Sequence, residues 1–141
     1  MQASVDRNSP IIYVIDPDPS VRASMASLLG TLGVRVEVFE AAAEFFAAFD
    51  PGTGACLITE LHLPDMSGID IQRRLTEQHA DLPVIILASD ADVPTAVSAM
   101  GRGALDFIEK PFVNRVLLDR LRQALEGRSR GERAEMLEGI A

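Results

Sequence analysis

Five short apolar runs, at residues 11–16, 34–39, 55–60, 83–88 and 105–109, constrain this chain more than any other feature. Most are rich in Val and Ile and are continuous rather than alternating, the pattern of strands buried on both faces of a parallel sheet. Helix-period segments separate them. The first carries Val21, Met25, Leu28, Leu29 and Leu32 on one stripe, with Asp18 as N-cap, Pro19 at the first helical position and Gly33 past the end. The others are predicted over residues 41–49, 68–78, 93–102 and 114–126, with Asp92 capping the fourth and Asp65 or Ser67 the third. Strands alternating with helices give an α/β fold, (βα)5, with helices on both faces of an open parallel sheet. The doubly wound strand order 2-1-3-4-5 suits this size and places a binding cleft outside the carboxyl ends of strands 1 and 3.

Composition narrows the function. With 13 Lys and Arg against 21 Asp and Glu, the net charge is −8, which argues against direct nucleic-acid binding, because phosphate contacts need clustered cations. The single Cys56 excludes an internal disulfide and fits a reducing cytoplasm. No apolar run approaches the ~20 residues that span a bilayer, so no membrane association is expected.

The strand ends carry the chemistry. Strand 1 ends in Asp16-Pro17-Asp18, strand 3 in Glu60, strand 4 in Ala88-Ser89 and strand 5 in Glu109-Lys110-Pro111. The topology brings all four to one cleft. Within it, Glu60 can reach Lys110, and Asp16 needs a nearby cation to offset the second carboxylate.

The blocks YVIDPDPSVR, LITELHLPDMSG, VIILASDADVP and GALDFIEKPF resemble the receiver domain of two-component response regulators, FixJ-type receivers most of all. The resemblance covers about residues 10–126, leaving 1–9 as an N-terminal extension and 127–141 as a tail or the start of a linker to an absent output domain. It implies an aspartate after strand 3 that takes a phosphoryl group from a histidine kinase. It also implies an acidic pair after strand 1 that holds Mg²⁺, and a Thr or Ser after strand 4. A Lys before Pro after strand 5 completes the set, and that peptide bond is implied to be cis.

This chain departs from the pattern at three positions: Glu60 stands at the phosphoacceptor site, Pro17 replaces the second carboxylate, and Ala88 replaces the hydroxyl residue. Asp16 and Lys110 remain, Phe107 fills the switch-aromatic position, and Pro111 is the candidate cis-proline. Mg²⁺ requires oxygen ligands at about 2.0–2.1 Å in near-octahedral order. Pro17 offers no side-chain oxygen, and Glu60 reaches one methylene further than Asp, roughly 1.5 Å. Phosphoryl transfer depends on positioning, where a 1 Å error can cost about 10²-fold. The expectation is a degenerate pseudo-receiver with Mg²⁺ binding lost or weak and no other cofactor. It would be no enzyme, and would signal without aspartyl phosphorylation and regulate a transcription-factor module. Glu60 would imitate a phosphoryl group by holding Lys110, or leave the domain locked inactive or without a switch, or leave it to control by another ligand.

The resemblance places the partner surface, for a protein or a second copy, on helix 4, strand 5 and helix 5. Val93, Val97, Arg102, Asp106, Asn114 and Val116 lie there, and Arg102 and Asp106 could pair across a two-fold axis. Phe107 fits either a core position or a switch on that face. FixJ-type relatives carry a DNA-binding helix-turn-helix domain after the receiver, so this chain reads as a stand-alone module or part of a longer one. A different reading takes Asp16-Pro17-Asp18 as the nucleophile motif of a haloacid-dehalogenase-type, Mg²⁺-dependent phosphatase, with Asp16 attacking the phosphoryl group.

Overall fold

The computed structural model describes residues 9–52, 54–90 and 92–140, with side chains described as far as residue 127. The elements run β1 (Ile11–Ile15), α1 (Pro19–Gly30), β2 (Arg35–Phe39), α2 (Ala42–Ala48), β3 (Gly54–Glu60), α3 (Gly68–Glu77), β4 (Val84–Ala88), α4 (Val93–Gly101), β5 (Asp106–Glu109) and α5 (Asn114–Ile140). The strands form one sheet in the order β2-β1-β3-β4-β5, every pair parallel.

The sheet divides the core by strand parity. Tyr13, Ile15, Leu57 and Ile86 face one side, where Phe45, Ile71, Leu75 and Ala99 of α2, α3 and α4 cover them. Ile12, Val14, Cys56, Ile58, Ile85 and Leu87 face the other, against Met25 and Leu29 of α1 and Leu117 and Leu121 of α5. Burial on both faces holds for the three inner strands and fails at the edges. β2 is half-exposed along its length and β5 buries only Ile108 fully. An edge strand has one neighbour and thinner helical cover, so Arg35 and Glu37 fit in β2.

The helix starts follow their caps. Asp18 Oδ1 accepts from the Ser20 backbone N–H at 2.9 Å, and Asp92 accepts from Thr95 N–H at 2.8 Å. Ser67 and Asp70 form a reciprocal capping box at the start of α3. Gly33 takes a φ of 71°, the left-handed conformation that lets the chain leave α1 and turn into β2.

α5 is longer than its apolar stripe suggests. It runs through the segment expected to be a tail and reaches Ile140. Gly127 lies inside it, where a helix-interior Gly costs only about 1 kcal/mol relative to Ala. The sequence beyond it is rich in Arg, Glu and Ala and contains no proline.

Candidate functional site

Four strand ends meet above the carboxyl edge of the sheet. Asp16 follows β1 and its backbone N–H donates to Phe39 O at 3.0 Å, which fixes the turn against β2. Glu60 ends β3. Gly68 begins α3 directly against it: a Cβ at Gly68 would sit 3.3 Å from Glu60 O, a tight contact that glycine avoids. Ala88 ends β4, and its carbonyl accepts from Lys110 N–H at 2.8 Å, which pins the start of the β5–α5 loop. The Lys110–Pro111 peptide bond is cis.

The side chains then converge. Lys110 Nζ lies 2.8 Å from Asp16 Oδ2 and 2.6 Å from Glu60 Oε2. The two carboxylates are 4% and 8% exposed and the lysine side chain 19%, so one ammonium serves two buried anions. The Asp16 contact is a well-aligned hydrogen bond. The Glu60 contact is close but poorly aligned, which leaves Oε2 buried without a directed hydrogen bond. Burial alone would lower the Lys110 pKa, but the close Asp16 and Glu60 carboxylates outweigh it and hold the pKa above its ordinary value. The second oxygen of Asp16 accepts from the Asp18 backbone N–H at 2.9 Å, and Arg22 Nη1 donates to the Asp16 carbonyl at 2.7 Å.

Little oxygen is left over for a metal. Pro17 points to solvent with none to give, Ala88 is a buried methyl, and both Asp16 oxygens have N–H partners within the protein. Among the described residues, no group of three His, Cys, Asp or Glu side chains is placed to hold a metal ion. Asp18 is turned away, with its carboxylate on the Ser20 N–H and hydroxyl. That orientation removes the second aspartate of the phosphatase reading from the cleft. Beside Lys110 opens a cleft of about 560 Å³ lined by Val21, Met25, Leu28, Pro111 and Phe112.

Phe107 lies apart from this cluster. It is half-buried against the helices on the α2–α4 side of the sheet. On the expected partner face Val93 and Val97 are 75% and 64% exposed, and Met100, Val113 and Val116 are exposed as well. Asp106 is already engaged, by Arg120 of α5 within the same chain. Arg120 reaches it from α5, so the expected Arg102–Asp106 pairing across a two-fold axis would have to displace that contact.

Three features had no motif to announce them. Arg22 steadies the Asp16 turn from α1. Asp65 caps α2 rather than α3, accepting from Ala42 N–H at 3.1 Å and Ala43 N–H at 2.9 Å across the fold. Gln72 of α3 is buried and donates to Ala99 O of α4 at 3.2 Å. Asp65 was visible in the sequence as a cap candidate, and Gln72 as a polar residue between Ile71 and Leu75 on a buried stripe.

Residues 12–122 match the response regulator receiver domain family. The chain belongs to that family. It is 39% identical over 121 residues to the response regulator protein TodT of Pseudomonas putida, covering 86% of this chain and 53% of TodT. It is also 39% identical over 116 residues to the transcriptional regulatory protein FixJ of Rhizobium meliloti, covering 82% and 56%. Thus this receiver spans about half the length of the curated relatives it matches. Among solved structures, a response regulator receiver protein from Pseudoalteromonas atlantica superposes with a TM-score of 0.78 at 38% identity, covering 84% of this chain and 98% of that one. The family places the Asp16 block in a receiver and not in a haloacid-dehalogenase-type phosphatase. No helix among the described residues is long and apolar enough to cross a membrane.

Proposed function

We propose that this receiver is a degenerate, FixJ-type pseudo-receiver that signals through protein contacts and takes no phosphoryl group at residue 60. The observation that carries the reading is the Lys110 ammonium seated between the Asp16 and Glu60 carboxylates. The charge that a divalent ion would neutralise is already met, apart from a residual −1, by a side chain of the protein itself. Mg²⁺ would have to displace that ammonium and find its remaining ligands where Pro17 and Ala88 stand. Its reluctance to shed water makes so poor a ligand set a weak competitor.

The same contact bears on the switch. In an ordinary receiver, by the family resemblance, the strand-5 lysine meets an incoming phosphoryl oxygen. Here Glu60 is within ion-pair distance of it with no phosphoryl group needed. Glu60 therefore holds the domain in one state. A carboxylate carries less charge and fewer oxygens than a phosphoryl group, and Ala88 supplies no hydroxyl to draw Phe107 inward. The output is a fixed presentation of the α4–β5–α5 face to a protein partner or a second copy, with Val93, Val97 and Met100 as its apolar contacts. Relatives named as transcriptional regulators, FixJ among them, suggest a transcription-controlling module as the recipient. The charge of −8 disfavours DNA contact by this chain.

Titration with Mg²⁺ followed through backbone amide NMR signals tests the reading. The expected result is no saturable, site-specific shift at Asp16, Glu60 or Lys110. Saturable shifts confined to those amides would show a working metal site and overturn it.

A further inference from the structure

Among the described residues, the buried polar or charged side chains are Asp16, Thr59, Glu60 and Gln72. The first three belong to the acid cleft or its rim. Gln72 belongs to neither and lies where α3 packs on α4. We propose that Gln72 is a positioning residue that sets α4 against α3, and with it the apolar face that α4 presents to a partner. The juxtaposition behind this is Gln72 Nε2 on the Ala99 carbonyl, at 3.2 Å.

α4 is otherwise lightly held. Ala99 is its one buried residue, while Val93, Val97 and Met100 face solvent. A methyl against an apolar surface does not fix a helix in rotation or along its axis. A hydrogen bond to one particular carbonyl does. The Ala99 carbonyl also accepts from Arg102 N–H at 3.2 Å and Ala104 N–H at 3.1 Å, where Gly103, at a φ of 93°, turns the chain out of α4 towards β5. Gln72 thus grips the end at which α4 is joined to the sheet.

The amide is not there to add stability. Its Oε1 is buried without a hydrogen-bond partner among the described residues, and an unpaired buried acceptor opposes folding. A leucine would fill similar space without that cost. What the amide adds is direction, the use of buried polar groups best attested where register must be fixed. α3 carries the constraint to the acid cleft. Its first residue, Gly68, donates to Leu61 O at 2.7 Å beside Glu60, and Gln72 follows about one turn later. The strand end bearing Glu60 and the end of α4 are therefore joined through α3, without a hydroxyl at residue 88. The inference is independent of whether the cleft binds metal or phosphate.

Residue-resolved amide hydrogen exchange on Gln72→Leu and the unaltered protein tests it. Loss of one net hydrogen bond is expected to speed exchange about fivefold at residues 99–104, with α1 and α5 unchanged and the thermal midpoint unchanged or raised. Unchanged exchange at 99–104, or a uniform rise across the chain, overturns the proposal. Gln72→Met gives the same readout if the leucine variant does not fold. If neither folds, the unaltered protein decides. The Gln72 side-chain amide protons should exchange more slowly than those of exposed Gln78 and Gln123, and equal rates overturn it.

Discussion

The ammonium of Lys110 and the carboxylate of Glu60 stand 2.6 Å apart at the carboxyl edge of the sheet, with Asp16 completing a cluster of two negative charges and one positive. The asymmetry decides how the cluster responds to substitution. Removing the lysine leaves two buried carboxylates facing each other. Removing one carboxylate leaves a neutral pair. Lys110→Met should therefore destabilise the fold by about 3 kcal/mol or more, the range seen when one partner of a buried pair is deleted. Glu60→Gln should change stability by less than about 1 kcal/mol, since the Asp16–Lys110 hydrogen bond survives. Urea unfolding of both variants checks the order, and equal losses would contradict it.

Alkaline pH probes the same lysine. Its folded pKa lies above the ordinary value of 10.5, so its contribution is complete below 10.5 and fades as pH climbs through the folded value. Burial pushes the Cys56 thiol up to about 12 from an ordinary 9.0. The unfolded thiol then ionises from about pH 9 while the folded one does not, and stability falls over that window as well. Stability measured by urea midpoint should decline from about pH 9 and more steeply above 10.5. Cys56→Ala, compared with its own value at pH 7, should flatten the first part of the decline. In the native protein Cys56 should not react with a thiol reagent at pH 8, and should react once unfolded.

Asp65 links the loop after β3 to α2. Burial raises its pKa, but backbone N–H groups of Ala43 and Ala42 outweigh that and lower it below 3.8. Its contribution is thus present above pH 3.8 and lost as pH falls through the lower folded value. Asp65→Ala should cost about 1 kcal/mol at pH 7, typical for a lost helix cap. Asp65→Asn keeps one acceptor oxygen but turns its NH2 on the other N–H, so it should recover only part of it. A chemical-denaturation series across the three proteins measures the difference.

How far the sequence reached depended on whether each interaction was local. Asp18, Pro19 and Ser67 act within a few residues of their helices, and their roles could be read directly. The strand ends converge because topology requires it, and so Asp16, Glu60, Ala88 and Lys110 were identifiable before any coordinates. Of the two candidate caps for α3, Ser67 fills the role, while Asp65 serves α2, whose Ala42 and Ala43 lie far back along the chain with no periodicity to connect them. The Arg120–Asp106 contact was hidden for the same reason. The apolar stripe of α5 ends at Leu125, and the Arg- and Glu-rich stretch beyond it reads as a frayed helix, a solvated tail or a linker; the helix runs on to Ile140, with no proline to stop it. β2 carries Arg35 and Glu37 among its apolar residues, a polar content that fits an edge strand, yet its exposed residue is Val38, which the sequence pattern does not single out.

Intact-protein mass spectrometry after incubation with acetyl phosphate and Mg²⁺ tests the central claim most directly. A variant carrying Pro17→Asp, Glu60→Asp and Ala88→Thr together serves as the positive control and should gain the mass of one phosphoryl group. The unaltered chain should keep its mass. A gain of one phosphoryl group, mapped by fragmentation to Glu60, would contradict the account.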